Sequence, residues 1–467
     1  MSRPGTLGEL RASGWESRPV KEEVRANALE RVRNGEAVVD GIVGYEETVL
    51  PQLENALLAG HDVIFLGERG QAKTRIIRSL TGLLDEWAPT IAGSEINDDP
   101  YDPVSAHARV LVAERGDEAP IEWVHRDRRY GEKLATPDTS IADLIGEVDP
   151  IKIAEGRYLA DELTIHYGLV PRTNRGIFSI NELPDLAERI QVGLLNVLEE
   201  RDVQIRGYKI RLPLDLMLVA SANPEDYTNR GRIITPLKDR FGAQIRTHYP
   251  LDADMEIDII EQEARPLVAE GLSVSVPDFM ADIVATMSQH ARSSPHINQR
   301  SGVSVRLSIA NYETLVANAT RRAVRAGELE VVPRVSDLDA LVSSTAGKVE
   351  FETVDDGREE QVLERIVKAS LLEVFRDRLR PEKLTDVVTA FDEGLVAHTG
   401  EDVPATEYTD VLRRAPALRG ALAELGVGET PAGAAAAVEF VLEGLHLSKR
   451  LNKDAAGGRA AYRARGG

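Results

Sequence analysis

Residues 61–80, HDVIFLGERGQAKTRIIRSL, constrain the fold more than any other stretch of this chain. Four apolar residues, VIFL, end at a glycine and read as a short strand buried on both faces. Apolar residues then return at helical spacing as Ile76, Ile77 and Leu80. A strand that turns through a small-residue loop straight into a helix is the repeating unit of an α/β fold with a parallel sheet. The loop GERGQAKT differs from the phosphate-binding pattern G-x-x-x-x-G-K-[ST] only at Ala72, where that pattern has glycine. Small residues there let backbone N–H groups wrap an anion, lysine neutralises its charge, and a Thr or Ser hydroxyl reaches Mg²⁺. Gly67 and Gly70 relieve crowding, Lys73 fits the lysine role and Thr74 the hydroxyl role. Ala72 adds one methyl group, keeps its amide, and opens the helix without blocking an anion if its φ is helical. The competing reading is an ordinary strand-turn-helix joint.

Two further apolar runs end in polar residues, GIFSI (176–180) before Asn181 and Glu182, and LMLVASA (216–222) before Asn223. Short apolar runs alternating with helical patterns predict a parallel sheet covered on both faces. Between them QVGLLNVLEE is helical, and DVQIRGYKIRLP reads as a β-hairpin around Gly207. A carboxylate at a strand end can orient or deprotonate an attacking water, which makes Glu182 the candidate base. Asn181 would offer Mg²⁺ a neutral amide oxygen, a weaker ligand for a hard cation than aspartate. Asn223 can hydrogen-bond a phosphate or the water. Arg240, in TPLKDRFG, and Arg306, in VSVRLSIANYE, are candidates to stabilise charge on a transferring phosphoryl group. Taken singly, either arginine also fits a surface salt bridge.

The rest of the chain bounds these readings. At 467 residues it is long enough for two or three domains. The 77 acidic against 56 basic residues, a formal charge of -21, argue against a general nucleic-acid binder held by phosphate contacts. There are no cysteines, so disulfides, thiolate zinc sites and cysteine nucleophiles are excluded. The nine histidines show no H-E-x-x-H or other tight metal spacing, and no G-x-S-x-G motif is present. The first 30 residues have no apolar h-region and no apolar run reaches 18 residues, so the expectation is a soluble, cytoplasmic protein without membrane contact. Residues 1–40 read as a polar lead-in with one helix from Val20 to Gly35, 41–250 as an α/β nucleotide-binding domain and 251–330 as a helical lid. Residues 331–455 read as a C-terminal helical region and 456–467 as a basic, flexible tail.

In order, GIVGYEE, GERGQAKT, DLIGEVD, GLVPRTNRGIFSINEL, LLNVLEERDVQIRG, ASANPED, LKDRFG and VRLSIANYETLVANA resemble the AAA+ ATPases of the magnesium-chelatase I-subunit and MoxR group. The resemblance covers roughly residues 40–325, and other members of the branch are similar in having alanine before the loop lysine. It implies a fold class: an AAA+ P-loop NTPase core, α/β with a parallel sheet between helices, then a helical lid and a C-terminal helical region. It also implies ATP and Mg²⁺ as ligands, and a homo-oligomeric, hexameric ring with nucleotide at subunit boundaries. Carried over, Gly67, Glu68, Arg69, Gly70, Gln71, Ala72, Lys73 and Thr74 would be Walker A. Asn181 and Glu182 would be Walker B, with Thr74 and Asn181 near the metal, and Asn223 would be sensor 1. Arg240 would be an arginine finger acting in trans and Arg306 sensor 2, while Ile42 and Val43 would lie against adenine. The hairpin 202–212 would match the pre-sensor-1 insertion, and DLIGEVD with the residues after it the helix-2 insertion. The departure is Asn181, where the family has aspartate; it bears on hydrolysis more than on binding.

The function this implies is ATP hydrolysis used to remodel or activate a partner, as in metal insertion or metalloprotein maturation, with a VWA-domain protein as the expected partner. A second reading is a nucleotide-gated scaffold with little hydrolysis, motivated by Asn181. A third is an AAA+ activator of a sigma-factor polymerase, which resembles this chain in its insertion before sensor 1 but carries a GAFTGA loop absent here.

Overall fold

The computed structural model describes residues 3–148, 165–199, 202–205, 208–223, 232–352, 358–428, 430–456 and 458–465. The chain forms two units, Met1–His248 and Tyr249–Gly467.

The first unit is built on a five-stranded parallel sheet. Its strands are β1 (Val63–Leu66), β2 (Tyr130–Leu134), β3 (Gly176–Asn181), β4 (Leu216–Ala222) and β5 (Ala243–Arg246). They lie side by side in the order β5-β1-β4-β3-β2. In the central register Phe65 faces Ser221 of β4 on one side and Ile245 of β5 on the other. The expected runs VIFL, GIFSI and LMLVASA are thus three adjacent, almost wholly buried strands. One face packs Val63, Phe65, Met217 and Val219 against helices; the other packs Ile64, Phe178, Ile180 and Leu218. With both faces covered, the strands cannot alternate polar and apolar residues.

Helices α1 (Leu7–Ala12), α2 (Val20–Asn34) and α3 (Val49–Leu58) precede β1. Helix α2 ends where expected, with Gly35 at φ 70 providing a left-handed cap. The N-terminal segment is more than a polar lead-in. Glu23 of α2, 5% exposed, forms a bidentate pair with Arg129, 2% exposed, at 2.9 and 2.6 Å. Asp215 accepts the Val20 N–H at 2.7 Å, and Trp123 Nε1 donates to the Pro4 carbonyl at 2.9 Å. Glu23 is therefore used inside the unit, while Glu22, Arg25, Glu30 and Arg33 of the same helix stay exposed.

Helix α4 (Lys73–Ser79) follows the loop after β1 and runs into a 3-10 turn over Leu80–Leu83. Helices α5 (Glu188–Glu199) and α6 (Thr235–Arg240) follow β3 and precede β5. The expected hairpin is present, Asp202–Ile205 pairing antiparallel with Tyr208–Arg211. Gly146–Val148 pairs with Ile165–Tyr167. The rest of the stretch after DLIGEVD, and PED after Asn223, lie outside the described residues.

The second unit contains the long helices α7 (Ala253–Glu263), α8 (Asp278–Ser293), α9 (Arg306–Ala326), α10 (Arg358–Arg378) and α11 (Pro431–Leu447). Helix α11 is its centre, with every residue from Ala432 to Leu445 buried. Phe440 stacks on Phe279 with ring centroids 4.4 Å apart, and Phe375 meets it edge-on. Among the described residues no helix is long and apolar enough to cross a membrane.

The basic tail is not the flexible segment expected. Residues β6 (Ala397–Gly400), β7 (Leu451–Ala456) and β8 (Arg459–Ala464) form an antiparallel sheet in the order β6-β8-β7. Gly458, at φ 81, leads into the return strand. Tyr462, 2% exposed, donates its hydroxyl to Glu443 of α11, and Lys453 Nζ lies 2.7 Å from the same carboxylate. The tail's aromatic and basic groups thus offset the cost of a carboxylate on a buried helix. Beside this sheet a cavity of about 790 Å³ is lined in part by Asp339, Glu364, Glu439, Glu443 and Lys453.

Candidate functional site

Three polar features emerge together at the carboxyl ends of β1, β4 and β3: the loop 67–72, Asn223, and Asn181 with Glu182. In open α/β sheets this is the edge at which ligands bind. The loop is fixed by local packing. A Cβ on Gly67 would sit 2.0 Å from Thr247 Oγ1 and 2.2 Å from Gln71 Oε1, so only glycine fits. The Gly67 N–H donates to the Ala222 carbonyl at 3.1 Å. Gln71 is a buried plug whose Oε1 accepts from the Glu68 N–H at 3.0 Å and from the Thr247 hydroxyl at 2.7 Å. Tyr45 closes the other side, its hydroxyl 3.0 Å from the Gln71 carbonyl and 2.7 Å from that of His248. Burial pushes that hydroxyl up to about 12, so it stays a donor at neutral pH.

Ala72 has φ 54 and ψ 8, the left-handed region, and corrects the expectation of a helical φ. Gly70 also has a positive φ, 75. The glycine of the usual pattern is thus matched here by backbone shape, with the alanine carrying the steric cost of its Cβ.

Lys73, 7% exposed, folds back over the loop. Its Nζ donates to Gly67 O at 2.5 Å, to Glu68 O at 2.7 Å and to Asn223 Oδ1 at 2.7 Å. Asn223 Nδ2 in turn donates to Glu182 Oε2 at 2.7 Å. One amide therefore links the loop lysine to the strand-end carboxylate. Glu182 holds a left-handed φ of 55, a strained conformation for a residue with a Cβ. Thr74 is half-buried on the first turn of α4.

Asn181, 6% exposed, has a partner that the sequence did not reveal. Its Nδ2 donates to Glu132 Oε1 at 2.7 Å, and its Oδ1 accepts from the Ser221 hydroxyl at 3.2 Å. Glu132 also receives Arg78 Nε and Nη2, both at 2.8 Å, and the Tyr130 hydroxyl at 3.0 Å. The Arg78 guanidinium, with Tyr130 and Asn181, holds the Glu132 carboxyl below the usual carboxylate range against a desolvation effect that pushes it up. The signal was a carboxylate inside the strand RYGEKL. Its meaning needed the knowledge that β2 lies beside β3, which no local pattern supplies.

The remaining expected residues are placed less closely. Ile42 is packed in the core with Val39, Leu53 and Phe65, and Val43 is half-buried. Arg69 and Arg240 are exposed, Arg240 on the last residue of α6. Arg306 is exposed at the start of α9 in the second unit. Two cations not singled out from sequence, Lys238 and Arg246, line a cavity of about 420 Å³ with Gly67, Glu68, Gln71 and Thr247.

The donor set suits a hard cation: a hydroxyl at Thr74, an amide oxygen at Asn181 and a carboxylate at Glu182. Among the described residues no three His, Asp or Glu side chains could hold an ion by themselves. A divalent cation here would share its shell with phosphate oxygens and water, as Mg²⁺ commonly does.

No protein-family model matches the chain. The chloroplastic magnesium-chelatase subunit ChlI-1 of Arabidopsis thaliana is 29% identical over 291 residues, covering 56% of this chain and 65% of that protein. Magnesium-chelatase subunit ChlI of Nostoc sp. is 31% identical over 231 residues, covering 48% of this chain and 57% of that protein. The chain thus spans less than two thirds of the length of either relative. A cryo-EM-based complex of subunits BchI and BchD of magnesium chelatase aligns with 69% of this chain and 97% of that one, at 21% identity and a TM-score of 0.36. With its parallel sheet between helices and its phosphate-type loop, the chain has a P-loop-type α/β fold, and it is related in sequence to the magnesium-chelatase I subunits.

Proposed function

We propose that this protein binds ATP with Mg²⁺ at the carboxyl edge of its parallel sheet and hydrolyses it, in a ring of identical copies, to remodel or activate a partner. The observation that carries this reading is the chain Lys73–Asn223–Glu182, which ties the phosphate loop to a carboxylate placed to act on water. Lys73 would exchange its carbonyl partners for phosphate oxygens, with the loop residues Gly67 to Ala72 around them. Thr74 and Asn181 would hold Mg²⁺, which supplies charge stabilisation at the phosphates. Asn223, once its oxygen is released by Lys73, can turn toward phosphate or water and so free Glu182 to act as base. Ile42 and Val43 would border the adenine, with Arg306 as a nucleotide sensor. Arg240 of one copy would reach the site of the next, which accounts for its exposure.

The partner is proposed by analogy. Subunits BchI and BchD of magnesium chelatase are described as a complex. For this chain a VWA-domain protein, in a MoxR-type or chelatase-type pair acting in the cytoplasm, fits the same scheme; metal insertion and metalloprotein maturation are the two forms of the work. A nucleotide-gated scaffold with little hydrolysis is the second reading, favoured by the neutral Asn181.

ATP turnover and nucleotide binding by the purified protein separate the two. Lys73→Ala is expected to abolish binding, and Glu182→Gln to keep binding while lowering turnover by about 10²–10⁴-fold, the usual contribution of a general base. Equal, slow turnover by wild type and Glu182→Gln, with both binding ATP, would establish the scaffold instead.

A further inference from the structure

The side-chain amide of Asn181 has one orientation open to it. A carboxylate such as Glu132, which receives the Arg78 guanidinium and the Tyr130 hydroxyl, only accepts hydrogen bonds. The Asn181 atom 2.7 Å from it must therefore be the amide nitrogen, which leaves the oxygen to receive the Ser221 hydroxyl at 3.2 Å. Ser221 Oγ then has a lone pair for the Glu182 N–H, 3.3 Å away. Every donor and acceptor in this series runs in one direction, from the Glu182 backbone on β3's end through Ser221 of β4 and Asn181 of β3 to Glu132 of β2.

We propose that Glu132 is a positioning residue for the cation-bearing edge of the site: it fixes the Asn181 amide with its oxygen toward Ser221, and so requires a neutral side chain at 181. Asparagine is then a matched partner of Glu132, and the difference from aspartate does not weaken the site. Two carboxylates at 2.7 Å would repel each other, and one of them would have to bind a proton or turn away. A bare surface ion pair between Arg78 and Glu132 would predict none of this, because it makes no demand on residue 181.

The two accounts differ in sign. On charge alone, Asn181→Asp adds a carboxylate near the cation and tightens binding of Mg²⁺ with nucleotide. On the matched-pair account Asn181→Asp lowers the melting temperature and weakens Mg²⁺-dependent nucleotide binding about tenfold. Glu132→Gln alone lowers the melting temperature, because an amide nitrogen replaces a carboxylate oxygen that faces Arg78, while its amide oxygen can still accept from Asn181. The double variant Asn181→Asp with Glu132→Gln restores a donor facing an acceptor, with the polarity reversed. It is expected to melt above the sum of the two single losses, short of wild type because Arg78 and Tyr130 lose the Glu132 carboxylate, and to recover the Mg²⁺-dependent nucleotide binding that Asn181→Asp alone loses.

The experiment uses the full chain in all four forms. Melting temperatures are taken without nucleotide or metal, and binding of a fluorescent ATP analogue is titrated with Mg²⁺ and, in parallel, with EDTA. Rescue of both quantities in the double variant supports the proposal; additive effects of the two substitutions, or tighter Mg²⁺-dependent binding by Asn181→Asp alone, overturn it. The binding arm rests on the ATP reading above. Should wild type bind no nucleotide, that reading fails, and the melting cycle still decides the pairing of residues 132 and 181 by itself.

Discussion

Ala72 and Glu182 both have backbones in the left-handed region, at φ 54 and φ 55, in the loop after β1 and just past the end of β3. For a residue with a Cβ this costs roughly 1–2 kcal/mol, and such strain concentrates at functional sites. Ala72→Gly removes that cost at 72 and restores the common loop sequence. Its expected effect is stabilisation of up to about 1 kcal/mol, less the greater chain entropy that glycine loses on folding. A rise of about 2–4 °C in the melting temperature of the first unit is the readout, and a fall would mean that the alanine methyl group makes packing contacts worth more than the strain. The strand-to-helix turn itself was legible in GERGQAKT, because glycine spacing and the flanking apolar pattern are local signals. Its backbone shape was not, because alanine has no intrinsic preference for a positive φ. Asn181 shows the same limit, since its meaning lies with a residue 49 positions earlier in the chain.

At the scale of elements, the sheet strands were legible because VIFL, GIFSI and LMLVASA are continuous apolar runs of strand length, and α2 because Gly35 marks its end. The role of α2 was not, since its segment read as a polar lead-in. Glu23 instead pairs with Arg129 inside the unit and also accepts the Asp85 N–H at 2.6 Å. Removing one member of a buried pair leaves the other charge without its counterpart, which costs about 3–5 kcal/mol. Glu23→Ala is expected to lower the urea midpoint of the first unit accordingly, and a loss below about 1 kcal/mol would show that water replaces the carboxylate. The C-terminal hairpin failed to show in the sequence for a related reason. Glycine and arginine in AAGGRAAYRAR suggest a tail, while its pairing with Ala397–Gly400 and its contacts with Glu443 are long-range.

For the whole molecule, sequence separated a strand-bearing first part from a helix-rich second part, and the chain divides at His248. The second unit carries an acidic cavity that composition did not announce. Asp339 lines that cavity with its side chain exposed, and partial desolvation pushes its carboxyl up, with Lys453 opposing the effect and Glu401, Glu443 and Glu364 adding to it. A carboxyl raised in the folded state favours folding most when protonated, and that contribution is lost as pH rises through the raised value. Asp339→Asn lacks this dependence. Its melting temperature is expected to match wild type below the ordinary carboxylate range, near pH 3, and to exceed it increasingly toward pH 7. A difference that does not change with pH would mean that the substitution acts through packing alone.

The strand order β6-β8-β7 has a consequence for synthesis. The middle strand of this sheet is Arg459–Ala464, which leaves the ribosome after both of its neighbours. Until it arrives, Ala397–Gly400 and Leu451–Ala456 each present an unpaired edge, and Glu443 lacks the Tyr462 hydroxyl. Both edges therefore stay open until Arg459–Ala464 emerges, and neighbouring nascent chains on one message compete with it for them.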